Sequence, residues 1–334
     1  MRIALTFNQR RGDCSPDDES QAEFDTLDAI ATIARLVASL GHHVTPIDVT
    51  GSIPALVDRL TKLAPDVVLN LAEGERGAFR EAFYPALFEQ LGLPYTGSAP
   101  ATLAVCLEKA LAKRVVASAR VRVPRGELVR DADALCDLPG PLIVKPNSEG
   151  SSKGITRASV IDDPACLRDR VRTLLARYPG GVLVEEFVVG IDVAVGWVDG
   201  LGLLPAIWYR YDDPDPLAIY DYARKHVHPD CVENVVPAPL GEDVTRRLED
   251  AARRAFGALG VRGYGRADFR ITPEGDVVFL EMNPLPSLTL ATGHDELYVA
   301  AARTGTSVRG LLAAILEAVP RCDATEPVPL PRSA

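Results

Sequence analysis

Two short segments in the last third of the chain carry side chains suited to bind a metal ion and a phosphate group. Arg266 and Asp268 lie two residues apart in Gly-Arg-Ala-Asp-Phe-Arg, and Glu281 and Asn283 are spaced alike in Phe-Leu-Glu-Met-Asn-Pro. Residues two apart on a strand share a face, and a Pro-Glu-Gly turn at 273–275 predicts a hairpin that joins the segments. Carboxylate and carboxamide oxygens suit Mg²⁺, and an adjacent guanidinium neutralises phosphate charge. The alternative is a hairpin with a solvated polar face.

A glycine- and serine-rich loop at residues 147–154 follows an apolar strand that ends at Lys145. Its backbone N–H groups and the hydroxyls of Ser151 and Ser152 can hold a phosphate chain, while the lysine supplies positive charge. The spacing is not that of a P-loop, and no G-x-G-x-x-G follows a strand, which disfavours two common nucleotide-binding folds. The loop predicts a phosphate site of another kind; the alternative is a flexible surface turn.

Further candidates for nucleotide contacts lie between these two regions and before them. Glu185 and Glu186 end an apolar strand, where a carboxylate can meet an adenine amino group. Asp192, past a turn at Gly190, can accept ribose hydroxyls. Lys109 lies on a predicted helix, where a lysine is usually solvated.

The elements that must position these residues alternate between strands and helices near the N-terminus. Strands are predicted over 3–7, 44–49 and 66–71, and helices over 26–40, 53–63 and 79–91. This order implies a parallel sheet with right-handed crossovers, whose ligands lie beyond the carboxyl ends of the strands. Further helices are predicted over 101–118, 243–259 and 308–318, further strands over 142–145, 182–187 and 192–197, and an irregular stretch over 210–236.

Composition narrows the class of protein. The chain has 334 residues, 47% of them hydrophobic, and a net charge of −10, which argues against a nucleic-acid or anionic-membrane partner. No apolar run is long enough for a transmembrane helix, and the first residues enter a strand rather than a signal peptide. The six cysteines are scattered, which favours reduced thiols in the cytoplasm.

Taken in order, the motifs resemble those of the D-alanine–D-alanine ligase branch of the ATP-grasp superfamily. The resemblance extends from about residue 2 to residue 318 and is most specific in Pro-Leu-Ile-Val-Lys-Pro…Glu-Gly-Ser-Ser-Lys-Gly and in the two hairpin segments. It implies an α/β, three-domain ATP-grasp fold. An N-terminal parallel α/β domain over 1–97 would precede two α+β domains, over 98–181 and 182–320, that sandwich ATP. The proline-rich residues 321–334 are expected to form a mobile tail.

The resemblance also implies roles for matching residues. Those implied at the ATP phosphates are Lys109, Lys145, Ser151 and Ser152. Those implied at adenine and ribose are Glu185, Glu186, Phe187, Val188 and Asp192. Those implied at two Mg²⁺ ions, for which Mn²⁺ is an alternative, are Asp268, Glu281 as the bridge, and Asn283. The implied catalytic residues are Arg266, Ser152, Lys225 and Ser287.

The implied activity is that of an ATP-dependent carboxylate–amine ligase. A substrate carboxylate attacks the γ-phosphoryl group of ATP, which gives an acyl phosphate and ADP. An amine then attacks the carbonyl carbon and expels phosphate, which leaves a peptide or amide bond. The resemblance also implies small-molecule partners only and a homodimer.

The sequence departs from the family pattern where the substrates would bind. The acid that anchors an ammonium group lacks its usual motif, and Glu23 is the candidate. Glu73 stands where a histidine is expected, which changes the local charge and the expected substrate. Tyr220 is retained, but His226 replaces the usual tyrosine, so that a titrating imidazole would make specificity depend on pH; alternatively it is an ordinary loop residue. Ser287 replaces a glycine but keeps the backbone N–H donor.

Several functions stay open at this point. The first is a ligase for an amino-acid pair that need not be D-alanine, with an intramolecular ring closure or true D-alanine–D-alanine ligation of cell-wall synthesis as alternatives. The second is a nucleotide-binding protein without catalysis, which the intact polar hairpin argues against. The third is a phosphotransferase that stops at the acyl phosphate.

Overall fold

The N-terminal part is built on a parallel three-stranded sheet, as the alternation of strands and helices predicts. The computed structural model describes residues 1–12, 18–135, 139–213, 215–290 and 295–320; the predicted tail at 321–334 lies outside them. The elements are β1 (Arg2–Phe7), α1 (Leu27–Ala38), β2 (His43–Asp48), α2 (Ile53–Leu63), β3 (Val67–Leu71) and α3 (Arg80–Gln90). The strand order is β2-β1-β3. Thr26 begins α1 by accepting the N–H of Ala29, which satisfies one of the free donors at the helix start.

A predicted single helix over 101–118 is two helices, α4 (Pro100–Leu107) and α5 (Lys109–Ser118). The break falls at Glu108, whose ψ of 86° is not helical. The first two N–H groups of α5 donate to the backbone oxygen and the side-chain Oδ1 of Asn147, at 3.0 and 2.9 Å. Asn147 is fully buried, so a residue of the predicted phosphate loop caps this helix and places Lys109 in its first turn.

The central part contains a four-stranded antiparallel sheet. Its elements are β4 (Gly126–Val129), β5 (Leu142–Pro146), β6 (Val160–Ile161), α6 (Leu167–Arg177) and β7 (Val182–Glu186). The strand order is β4-β7-β5-β6. The sheet includes β7, so the predicted boundary between residues 181 and 182 does not coincide with the edge of this sheet. The domain boundaries themselves stay a prediction.

The C-terminal part contains a larger sheet covered by helices. Its elements are β8 (Ile191–Val198), β9 (Gly202–Leu203), β10 (Ile207–Tyr211), β11 (Val232–Val235), α7 (Glu242–Leu259), β12 (Tyr264–Ile271), β13 (Val277–Asn283), α8 (Glu296–Ala302) and α9 (Val308–Glu317). The main strand order is β11-β10-β8-β12-β13, and β9 pairs with β8. The predicted irregular stretch at 210–236 therefore contains the end of one strand and the whole of another.

The predicted hairpin is β12 and β13. Asp268 pairs with Glu281 and Arg266 pairs with Asn283, so the polar residues meet across the ladder. The register shifts directly after Asp268, which marks a bulge beside the polar pairs. Helix α7 buries Leu248 and other apolar residues in one cluster with Phe279 of the hairpin. Apolar packing behind the hairpin therefore holds its polar face toward the rest of the molecule.

Three of the cysteines, Cys106, Cys166 and Cys231, lie in the described ranges and are free thiols. None of the helices in those ranges is both long and apolar enough to span a membrane.

Candidate active site

Most of the predicted site residues line one cleft. The cleft lies between the central sheet, the C-terminal sheet and the N-terminal part. The cleft has a cavity volume of about 170 Å³ and opens to solvent at its mouth. The predicted residues that line it are Glu23, Glu73, Lys109, Lys145, Ser151, Ser152, Glu185, Glu186, Phe187, Val188, Asp192, Tyr220, Lys225, Arg266, Asp268, Glu281 and Asn283. His226 and Ser287 are not among the lining residues.

A buried ion-pair cluster joins the central sheet to α5. Glu185, whose side chain is 1% exposed, forms ion pairs with Lys145 Nζ at 2.7 Å and with Lys113 Nζ at 2.5 Å. Burial opposes ionisation of Glu185, but the two lysines outweigh it and lower the pKa of the carboxyl. Burial lowers the pKa of Lys113 to about 7, whereas Glu185 raises the pKa of Lys145 against the effect of burial. Lys145 therefore keeps its positive charge in the cleft.

The predicted ribose contact, Asp192, is held by other protein groups. Arg270 forms a two-point pair with its carboxylate, at 2.7 and 2.9 Å, and Tyr211 donates to it at 2.5 Å. The Arg270 guanidinium also lies 4.5 Å from the centre of the Phe187 ring, a cation–π contact. A carboxylate has further acceptor positions, so Asp192 can still meet a hydroxyl. The contacts fix its orientation.

The two carboxylates predicted to bind a metal ion, Asp268 and Glu281, each form an ion pair with a basic side chain. Glu281 Oε2 lies 3.0 Å from Lys109 Nζ, and Asp268 makes a two-point pair with Arg266, both contacts 2.8 Å. Burial would raise the pKa of Glu281, but Lys109 and then Lys145 lower it to about 2. Burial raises the pKa of Asp268, and Arg266 opposes this effect.

The donor set fits Mg²⁺. Asp268, Glu281 and Asn283 offer only hard oxygen donors on adjacent strands, and Mg²⁺ usually completes its shell with water and phosphate oxygens. Asn283 Oδ1 accepts the N–H of Leu285 at 3.1 Å, which orients the carboxamide. Across the described ranges, no three His, Cys, Asp or Glu side chains group to hold a metal. A metal here would therefore need ligands from the nucleotide.

Arg266 is fixed from two sides. Besides Asp268, its guanidinium donates to Glu296 Oε1 at 3.1 Å, and Glu296 also accepts from Tyr209 at 3.4 Å. Lys225 is buried at the same end, where burial and then the charge of Arg266 lower its pKa. A cation held in place by two carboxylates is preorganised to face developing negative charge.

Two loops meet over the cleft. Ser152 Oγ donates to the backbone oxygen of Tyr220 at 2.9 Å, and His226 Nε2 bonds the backbone oxygen of Ser151 at 3.1 Å. Ser151 and Ser152 both have a positive φ, 49° and 56°, a backbone conformation that is unfavourable for residues other than glycine. The ring of Tyr220 stacks on Tyr209 at 4.7 Å. The contacts hold the loops together as a cover that can exclude water.

Burial decides the protonation of His226. Burial, followed by the charge of Lys225, lowers the pKa of His226 to about 4, so the imidazole is neutral near pH 7. The hypothesis of a specificity that changes with pH through this imidazole is therefore not supported near neutrality. Its ring also lies 4.5 Å from that of Tyr222.

This pKa predicts how stability depends on pH. The unfolded chain has an ordinary histidine pKa near 6.5, so it binds the extra proton between about pH 6.5 and pH 4. The stability contributed by neutral His226 is complete above that window and lost as the pH falls through it. We expect His226→Gln to reduce the slope of Tm against pH in this window, as measured by circular dichroism. His43→Gln, at an exposed histidine, is the control and should leave the slope unchanged. Equal slopes in both variants would contradict the prediction.

The substrate end of the cleft carries a second charged network. Glu23 accepts from Arg80 at 2.9 Å and from Lys153 at 2.6 Å. Burial would raise the pKa of Glu23, but the two cations lower it to about 2. A Cβ on Gly150 would lie 2.3 Å from Glu23 Oε1, so a larger residue there would have to displace the Glu23 carboxylate from its ion pairs.

Ser287 lies apart from this network. Its hydroxyl bonds Thr289 Oγ1 at 2.9 Å and accepts the Thr289 N–H at 3.1 Å. The side chain therefore stabilises the turn after the hairpin. Its predicted catalytic role stays a prediction, since that role needs the backbone N–H rather than the hydroxyl.

The arrangement has counterparts among known proteins. The family model described as "D-ala D-ala ligase C-terminus" matches residues 119–317. The D-alanine–D-alanine ligase of Gloeobacter violaceus is 33% identical over 282 residues, 82% of this chain and 88% of the relative. The chain belongs to the D-alanine–D-alanine ligase family. It is an ATP-grasp ligase that forms C–N bonds, as the motifs predict.

Solved structures from this ligase family share the fold. The D-alanine–D-alanine ligase of Bacillus anthracis complexed with ATP superposes with a TM-score of 0.70 at 21% identity, over 95% of this chain and 97% of that one. The VanG D-Ala:D-Ser ligase of Enterococcus faecalis also has a TM-score of 0.70, at 20% identity, over 95% and 98%. The predicted three-domain ATP-grasp fold is confirmed.

Six buried charged residues have no role in the sequence-based predictions, although two of them line the ligase cleft and four form ion pairs with residues that line it. They are Arg80, Glu81, Lys113, Lys153, Arg270 and Glu296. A signal existed for two of them. Lys113 lies four residues after Lys109 on one helix face, and Arg270 continues the two-residue spacing of the β12 motif. Lys153 lies in the phosphate loop that the sequence singles out, whereas Arg80, Glu81 and Glu296 come from segments where no local pattern shows burial.

Proposed function

We propose that this ligase joins the carboxylate of one amino acid to the amino group of another through an acyl phosphate, with release of ADP and phosphate. The observation that supports this most is the grouping of Lys109, Glu281 and the Arg266–Asp268 pair along one wall of the cleft. Phosphoryl transfer depends mainly on positioning and charge neutralisation, and these residues supply both.

The proposed steps use residues already oriented by protein contacts. Lys109 and Lys145 would bind phosphate oxygens while the substrate carboxylate attacks the γ-phosphorus and ADP leaves. Arg266 would then face the oxyanion that forms when the amine attacks the carbonyl carbon, before phosphate leaves and the nitrogen loses its proton. Ser152 would help to keep water from the acyl phosphate, because its bond to Tyr220 closes the loops.

The hairpin would hold the metal. Asp268, Glu281 and Asn283 would hold two Mg²⁺ ions, with Mn²⁺ as an alternative. When bound, the metal polarises phosphate oxygens and offsets their charge. The residues proposed at adenine and ribose are Glu185, Glu186, Phe187, Val188 and Asp192. Those proposed to contribute to substrate binding or catalysis are Glu23, Glu73, Ser151, Tyr220, Lys225, His226 and Ser287.

True D-alanine–D-alanine ligation is the second candidate. The name of the Gloeobacter violaceus relative favours it, at 33% identity over most of both chains. Glu73 and His226 favour a different pair of substrates, because each changes the charge or size of the substrate end. We also propose that the protein is a cytoplasmic homodimer. It would have no nucleic-acid or membrane partner, and the net charge of −10 supports this last point.

The test is Mg²⁺-dependent ADP release from ATP with pooled D- and L-amino acids, with products identified by mass spectrometry. Release with D-alanine alone, giving the dipeptide, would establish the second candidate. Release with another pool would name other substrates. ATP binding without release in any pool would favour a nucleotide-binding protein, and an acyl phosphate trapped by hydroxylamine without amide product would indicate a phosphotransferase.

A further inference from the structure

Two carboxylates on the N-terminal wall of the cleft, Glu73 and Glu81, form no ion pair with the part of the chain that the structure describes. Glu81, in the first turn of α3, is 7% exposed, and Glu73 follows β3; both line the cleft. Within the ranges that the structure describes, neither side chain forms an ion pair or a hydrogen bond. A buried carboxylate that faces a cavity without a partner is unfavourable unless it is protonated or a ligand brings positive charge.

The neighbouring cations are already used by other carboxylates. Arg80 and Lys153 both bind Glu23, and both also reach Glu149 Oε2, at 3.3 and 3.2 Å. These two cations therefore face two carboxylates. Glu73 and Glu81 are therefore the two carboxyl groups of this wall that neither of these cations pairs with.

Burial and the nearby carboxylates affect the protonation of Glu73 and Glu81. Burial raises the pKa of Glu81 to about 7, with Glu23 adding to the effect and Arg80 opposing it. Burial, followed by the charges of Glu81 and Glu23, raises the pKa of Glu73 well above its usual value. A positive group placed between them would favour ionisation and displace protons.

The occupant that fits is an organic cation. The acids do not form a group that could hold a metal ion among the described residues. The wall belongs to the same cleft as Lys109, Arg266 and Glu281, so the cation must be part of a substrate whose reacting end lies at the hairpin. Of the two substrates of a ligase, the donor of the carboxylate can keep its amino groups charged, because the attacking amine must be neutral.

We propose that the carboxylate-donating substrate is a diamino acid, whose two ammonium groups neutralise Glu73 and Glu81 while its carboxylate faces Arg266. A monoamino acid brings one positive charge to this wall, and the wall has two carboxylates to balance. This assignment rests on the proposed ligase function. It makes the replacement of the expected histidine by Glu73 a determinant of specificity for side-chain charge.

The test compares substrates in the full chain with Mg²⁺ and ATP. ADP release is measured with alanine, 2,3-diaminopropionate, ornithine and lysine of each hand, each with the same pool of acceptor amino acids. We expect kcat/KM for the best diamino acid to exceed that for alanine of the same hand by at least about tenfold. Glu73→Gln and Glu81→Gln should each remove most of this preference and change the KM for ATP by less than about twofold. Glu75→Gln, at an exposed acid of the same loop, is the matched control.

A binding measurement keeps the proposal testable if turnover is slow. Calorimetric titration with ADP and Mg²⁺ present, in buffers of different ionisation enthalpy at pH 6.5, should show tighter binding of the diamino acid than of alanine, with proton release that Glu81→Gln reduces. Thermal unfolding establishes that the variants fold. Alanine binding as tightly as every diamino acid, or a preference unchanged in both variants, would overturn the diamino-acid assignment and leave the ligase function standing. ADP release with no amino acid would contradict the ligase function instead.

Discussion

Replacing Glu281 with glutamine should lower kcat for ADP release by about 1000-fold or more while the protein stays folded. Lys109 and Lys145 overcome the effect of burial and lower the pKa of Glu281 to about 2, so the carboxylate is fully charged at neutral pH. Glutamine keeps the shape but not the charge. The variant would leave Lys109 without its ion-pair partner at 3.0 Å and would remove one of the two carboxylates among the proposed metal ligands.

The matched control is Glu274→Gln, at the exposed turn of the same hairpin. ADP release is measured against Mg²⁺ concentration for both variants and the wild type, with thermal unfolding as the check on folding. The Glu281 variant should need more Mg²⁺ for half-maximal rate, and the control should match the wild type. Because the buried Lys109 loses its ion-pair partner, Tm is expected to fall, and thermal unfolding establishes that the variant is folded at the assay temperature. Near-normal turnover in Glu281→Gln would contradict its assignment as a metal ligand.

Replacing Lys113 with methionine should lower the free energy of unfolding by about 3 kcal/mol. Lys113 Nζ lies 2.5 Å from Glu185, which is almost completely buried. Methionine fills similar space without the charge, so Glu185 keeps Lys145 as its partner in the cluster and loses half of its compensation. We also expect a higher KM for ATP, because Lys145 would be drawn more strongly to Glu185 and less available to phosphate.

The control for the lysine variant is Lys62→Met, which removes an exposed pair with Asp58. That pair is 2.7 Å long, but the lysine is 76% exposed, so its loss should cost less than about 0.5 kcal/mol. Urea unfolding gives both free energies, and steady-state kinetics gives the KM for ATP. Adding Glu185→Gln to Lys113→Met should lower the stability further, because it leaves the buried Lys145 without its partner in the cluster. Equal stability of the two lysine variants would show that the cluster does not stabilise the fold.

The parts of the fold that could be predicted are those governed by local spacing. The β12–β13 hairpin follows from residues two apart on each strand and a turn between them, and its register pairs Asp268 with Glu281 as expected. The helix predicted over 101–118 was wrong because its break is made from outside. Asn147, 39 residues after Glu108, supplies the capping oxygens, and the apolar periodicity of the helix gives no signal for such a contact.

The sequence by itself determined the kind of chemistry. Residue types at short spacings are enough to specify oxygen ligands, a phosphate loop and a parallel N-terminal sheet, because each depends on neighbours along the chain. Only the tertiary structure decided which charges remain unbalanced. Glu81 and Lys113 come from two separate elements, and burial and pairing set their charge only once the domains enclose the cleft. The charge of the substrate wall is therefore a property of the assembled cleft.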